Sequence, residues 1–169
     1  IGAAALDLNI YEEIENDPLA TGQAFATVVL SSVAAGIGIR GSEGYVATDV
    51  MFVTMLSLVG WMAWALITFE IGARMMPQPQ TRASIGQVLR TVGFASTPGL
   101  VRALGAFPMV RTAAFLVASV WMLAAMVIAV RQALDYESTG RAIAVCIVGW
   151  TLMLAVTIGI GVVWAPTVY

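Results

Sequence analysis

Residues 112–130 read TAAFLVASVWMLAAMVIAV, 19 residues without one Asp, Glu, Lys or Arg. A helix rises about 1.5 Å per residue, so this stretch just crosses a hydrocarbon core about 30 Å thick. Residues 18–39, 50–69 and 142–164 are equally free of charge, and are 22, 20 and 23 residues long. Four such stretches in a chain of 169 residues predict an all-α, polytopic transmembrane helix bundle. Composition agrees: 60% of residues are hydrophobic and 11% charged, where a soluble domain carries about 25% charged residues. Mean hydropathy is +0.90. Water does not tolerate patches of this size.

Composition also excludes much chemistry. All eight basic residues are Arg, and they form no basic patch suited to nucleic acid. There is no His, and the single Cys146 lies inside an apolar run. A zinc set and the usual axial ligand of haem are therefore missing, and no metal or cofactor is expected. Ser31, Ser32, Ser57, Ser84 and Ser119 have no histidine base to activate them. No phosphate loop or EF-hand occurs. No catalytic residue is assigned, and the protein is not expected to be an enzyme. The chain begins at Ile1 rather than Met, so further residues are expected ahead of it. Residues 1–5 lack the basic start of a signal peptide.

The chain divides into an acidic arm, residues 1–17, and a membrane domain, residues 18–169. The arm carries Asp7, Glu12, Glu13, Glu15 and Asp17. Leu6, Ile10 and Ile14 recur at helical spacing, so it reads either as an amphipathic helix on the membrane or as a flexible acidic tail. Asp17-Pro18 is a helix start. Helices are expected at about 18–39, 49–74, 98–107, 109–132 and 139–164. Gly41 and Ser42 mark the end of the first, and Ala165-Pro166 the end of the last.

Residues 80–107 are the unusual part. Residues 83–91 suggest an interfacial helix, with Ile85, Val88 and Leu89 on one side and Arg82, Gln87 and Arg90 elsewhere. Thr97-Pro98 then starts an element too short to span, punctuated by Gly93, Gly99 and Gly105 and containing Arg102. The expectation is four full spans plus a short or re-entrant third helix, preceded by an interfacial one. Irregular backbone at this depth must be buried in protein or line a wet cavity. Arg74, Arg82, Arg90, Arg131 and Arg141 fall on the side of the N-terminus if the short element counts as a pass. The positive-inside rule then puts the N-terminus in the cytoplasm and the C-terminus outside.

The run from Ser84-Ile85-Gly86-Gln87 through Arg90-Thr91 to Ser96-Thr97-Pro98-Gly99-Leu100 resembles the central signature of bacterial YIP1-domain proteins. Val130-Arg131-Gln132-Ala133-Leu134-Asp135-Tyr136 fits the same family. So do Ser138-Thr139-Gly140-Arg141, Tyr11-Glu12-Glu13, Asp17-Pro18 and Ala20-Thr21-Gly22-Gln23-Ala24. The resemblance covers nearly the whole chain. It implies five membrane helices with a cytosolic N-terminus. Eukaryotic relatives act in early secretory traffic, associate with Rab GTPases and pair with related membrane proteins. The arm here is short where theirs is long.

Ionisable groups near the membrane are the chemical candidates, because a charge at bilayer depth costs about 3 kcal/mol or more unless paired. Arg102, Arg90, Arg111, Glu70, Arg74, Arg131 and Asp135 form the candidate lipid or polar intramembrane site. Glu70 with Arg74, and Glu137 with Arg141, are spaced to pair on a helix. Ser32-x3-Gly36, Ala125-x3-Ala129 and Gly149 are candidate helix-packing positions. Trp121 and Trp150 fall mid-helix, where an indole N–H needs a partner. The leading expectation is a non-catalytic accessory or scaffold subunit within a larger bioenergetic or photosynthetic complex of a bacterial inner membrane. Its partners would be membrane lipids and other membrane protein subunits, without nucleic acid. The alternatives are a small transporter or lipid-binding protein using the broken third helix, and an organiser of membrane shape or traffic by family analogy.

Overall fold

The computed structural model describes residues 2–40 and 47–164. The loop at Gly41 and Ser42 and the break at Ala165-Pro166 lie outside the described residues. In chain order the elements are α1 (Leu8–Asn16), α2 (Ala20–Arg40), α3 (Ala47–Phe69), a π-helical turn (Glu70–Met75), α4 (Ile85–Phe94), a 3-10 helix (Thr97–Ala106), α5 (Arg111–Ala133) and α6 (Thr139–Trp164). The described residues contain no strand. Among the described residues four helices are long and apolar enough to cross a membrane. The fold is an all-α polytopic bundle, and the protein is an integral membrane protein.

The third pass is built from two pieces. Gly93 at the end of α4 packs on Ala24 of α2, where a Cβ would meet the Ala24 Cβ at 2.8 Å. Gly99 lies against Ser31, and Gly105 against the backbone of Gly38. The three glycines therefore follow α2 along most of its length. Ten residues of α-helix rise about 15 Å and ten of 3-10 helix about 20 Å, together enough for the hydrocarbon core. The short third helix thus continues the course of α4 along α2, and the two together are long enough to cross the core. A 3-10 helix repeats every three residues, so Gly99 and Gly105 fall in one column and let the two backbones touch. Thr97 does not cap this element; its hydroxyl donates back to Phe94 O at 2.5 Å and closes α4. Pro98 occupies the first turn, where a missing amide costs nothing.

The acidic arm is not a free tail. Asp7 caps α1 by accepting from Asn9 N at 3.0 Å. Tyr11 and Ile14 are buried with Ala3, Ala95, Ala125 and Ala129, so α1 packs on α4 and α5. Asp17 accepts from Leu19 N at 2.9 Å and starts α2 two residues beyond Pro18. Trp121, midway along α5, donates its indole N–H to Ala4 O at 2.7 Å. A second apolar core gathers Trp64, Val88, Val92, Val130, Leu134 and Val145 from α3, α4, α5, α6 and the loop before α6.

Candidate functional site

The seven ionisable candidates do not form one constellation. The structure divides them among one end of the bundle, the opposite end and a cavity between helices.

The first end holds Arg90, Arg131, Asp135, Glu70 and Arg74. Arg90, which falls away from the Ile85, Val88 and Leu89 side of its helix, is buried. Its Nε donates to Ile14 O at 3.1 Å and its Nη2 to Glu15 O. A cation at the last carbonyls of α1 is where the helix dipole favours it. The Glu15 carboxylate accepts instead from Gln87 Nε2 at 2.9 Å. Burial, then the charges of Asp135 and Glu12, push its carboxyl up to about 7, against the partial relief given by Arg90 and Gln87. Gln87 also closes a capping box with Ser84. Sequence reasoning missed Glu15 and Gln87 as partners, although Ser84-x-x-Gln87 is itself a helix-start signature.

Beside this joint, the loop between α5 and α6 plugs the π-helical turn. Leu134 is fully buried against Gly72. The Tyr136 hydroxyl lies 2.8 Å from Gly72 O and 2.9 Å from Met76 O, and burial raises its pKa. Arg131 donates to Tyr136 O, Thr139 Oγ1 and Glu137 O. Asp135, at φ 52, turns the loop in a left-handed conformation that Asp tolerates and accepts from Arg82 N at 3.4 Å. Glu70 and Arg74 pair at 2.9 Å on the exposed surface. Glu137 and Arg141 do not pair: Arg141 reaches Pro77 O at 3.3 Å, and the Glu137 amide donates to Gln78 Oε1 at 3.1 Å. At the opposite end Arg111 donates to Gly105 O at 3.0 Å.

Arg102 lies between these ends, on a cavity of about 310 Å³. Ser31 and Ser32 of α2, Ser57 of α3 and Ser96 from the turn between α4 and the 3-10 helix line it, and Trp61, Met122 and Met126 form apolar wall. Arg102 Nη2 lies 3.4 Å from Ser119 Oγ, and its guanidinium sits 5.8 Å from the Phe115 ring centroid. Its Nε–H is buried and has no hydrogen-bond partner. A buried unpaired donor costs about 1–3 kcal/mol, and more when charged. No carboxylate, imidazole or thiol among the described residues lines this space, so its chemistry is that of binding an anion or a hydroxyl. Serines that are scattered in the sequence meet here because α4 and the 3-10 helix carry Ser96 and Arg102 along α2.

The packing candidates also separate. Ala125 and Ala129 are fully buried against the arm. Gly149 lies against the Trp64 ring, where a Cβ would stand 2.9 Å from it. The Ser32 hydroxyl donates to Val28 O at 2.8 Å. Gly36 has open space beside it. Trp150 packs on Trp64 with centroids 5.9 Å apart and the rings tilted by 37°.

The blocks that carry the family resemblance are the ones that meet at the first end: Gln87 and Arg90 with the arm, Leu134 and Tyr136 with the π-helical turn. No curated protein and no solved structure matches the chain. The family profile described as the Yip1 domain matches residues 9–160, nearly its whole length. The chain therefore belongs to the Yip1 family of membrane proteins.

Proposed function

We propose that the protein is a non-catalytic accessory or scaffold subunit that packs against the helices of another membrane protein. The observation that supports this is the outer half of α6. From Trp150 to Gly159 every side chain described is exposed except the half-buried Met153, so beyond the contacts of Trp150 and Met153 this length of helix presents its surface away from the described bundle. Exposed Leu152, Leu154 and Val156 say little by themselves, because lipid solvates them as well as protein does. Thr151, Ala155 and Gly159 say more. They recur every four residues on the exposed helix, and nothing lies within 4 Å of the place a Cβ would take on Gly159. Small residues at this spacing let a second backbone approach closely. The same reading has the N-terminal arm on the cytoplasmic face of a bacterial inner membrane; the five arginines at the end that holds the arm support the orientation through the positive-inside rule.

The test is native mass after gentle extraction from source membranes, with associated proteins identified by mass spectrometry. A stoichiometric partner that is lost in Ala155→Leu/Gly159→Leu supports the reading. A lone monomer in several mild detergents and in nanodiscs overturns it.

A further inference from the structure

We infer that the hydroxyl-lined cavity at Arg102 is a binding site for a single-headed anionic amphiphile, one whose carboxylate or phosphate sits on the guanidinium. Three observations converge. The first is the unpartnered, buried Nε–H of Arg102. No carboxylate among the described residues pairs with this cation, so the charge that would balance it must come from outside them. The second is the lining: Ser31 lies on the same space with Ser32, Ser57 and Ser96, and a serine hydroxyl can donate to an anionic oxygen. The Ser32 and Ser96 protons go to Val28 O and Gly93 O, so Ser31 is the donor offered to the anion. The third is the route in. The α3 and α5 backbones stay apart. Trp64 bridges them by donating to Met126 Sδ at 3.1 Å, and Gly149 of α6 covers Trp64 at that level. The gap between α3 and α5 lies past this bridge, where the last part of α6 leaves the bundle. The cavity therefore lies open toward lipid, beside Trp61, Met122 and Met126.

Size selects within that class. A volume of about 310 Å³ lies at the low end for ligand pockets. It takes a head and the first carbons of a chain, while the rest of the chain runs out between α3 and α5. A zwitterionic head brings a cation to a guanidinium and is disfavoured. A fatty-acid carboxylate and the phosphate monoester of phosphatidic acid share the required chemistry.

The experiment uses the full chain in phosphatidylcholine nanodiscs, with photoactivatable palmitic acid and photoactivatable phosphatidic acid as separate probes. Photoactivatable phosphatidylcholine is the reference. Cross-links are mapped by mass spectrometry. At least one anionic probe is expected to label Trp61, Met122 or Met126 saturably, and which one does so identifies the source of the head group. Arg102→Gln should reduce this labelling about ten-fold or more, whereas Arg102→Lys and Arg111→Gln should retain it. Gly60 lines the cavity and has nothing within 4 Å of its Cβ position, so Gly60→Leu fills the space without a clash and should also block labelling. The inference is overturned if Arg102→Gln and Gly60→Leu leave labelling unchanged. It is equally overturned if phosphatidylcholine labels the same residues as strongly, or if cross-links appear only on outward-facing residues such as Leu116 and Val120.

Discussion

The Gln87 side chain donates to the buried Glu15 carboxylate at 2.9 Å and accepts from the Ser84 amide at 2.7 Å. One residue thus starts α4 and fastens α1 to it. The joint also explains how an acidic arm stays on an apolar bundle: its buried carboxylate, Glu15, accepts from Gln87, and its last carbonyls accept from Arg90.

That joint should respond to pH. The Glu15 carboxyl titrates near 4.5 when undocked and is raised to about 7 when docked, by burial first and by Asp135 and Glu12 next. Arg90 and Gln87 of α4 face it as well. Docking therefore takes up a proton, is fully favourable below about 4.5, and weakens as pH rises through the raised value. Amide-exchange protection of α1, corrected for intrinsic rates, should be higher at pH 5 than at pH 8. Glu15→Gln should flatten the dependence; an unchanged slope in that variant would show that another group titrates.

Arg90 makes the second fastening. Hydrogen bonds to charged groups contribute roughly 1.5–3 kcal/mol each, and Arg90 makes two to α1 carbonyls. In Arg90→Met the arm should come free while the four spans stay folded. The expected readouts are rapid proteolysis near residues 8–17 and a fluorescence change as Trp121 loses Ala4. Protection equal to the parent chain would mean that the apolar contacts of Tyr11 and Ile14 hold the arm alone.

The spans were legible in the sequence because lipid makes one demand, a long uncharged run, and residues 112–130 meet it with nothing to spare. The broken pass was legible only in part. Hydropathy separates Ser84–Phe94 from the 3-10 helix, because Arg102 and three glycines interrupt it. Reading the two as one pass needs the contact of Gly93, Gly99 and Gly105 with α2, a relationship between distant segments. The site was hidden for the same reason: Ser31, Ser57, Ser96 and Arg102 share no sequence spacing. The partners of Arg90 were hidden because helical periodicity describes one helix and one apolar face, whereas α4 buries a second, polar face against α1.

Two glycines on α2 make a paired test of the third pass. A Cβ at Gly36 meets nothing within 4 Å, whereas one at Gly38 runs into the Arg102 carbonyl and stands 2.8 Å from the Phe115 ring. Gly36→Ala should be neutral or stabilising by up to about 1 kcal/mol through helix propensity. Gly38→Ala should cost about 1–3 kcal/mol, since backbone cannot move aside as a side chain can. Unfolding in mixed detergent–SDS micelles reads both. Equal midpoints would mean that α2 and the 3-10 helix are farther apart in the membrane than the structure places them.

Leu134 and Tyr136 enter the same π-helical turn from one loop, so their effects should be coupled. Leu134→Ala empties a fully buried position and should cost about 2–5 kcal/mol. Tyr136→Phe leaves the Gly72 and Met76 carbonyls without their shared donor, at about 1–3 kcal/mol. Once either is lost, the turn is free to rewind toward an ordinary α-helix, which closes the gap the other residue fills. The double variant should therefore cost at least about 0.5 kcal/mol less than the sum of the singles. Strict additivity in the same SDS unfolding assay would show that the π-helical turn is held by α3 itself and not by the loop.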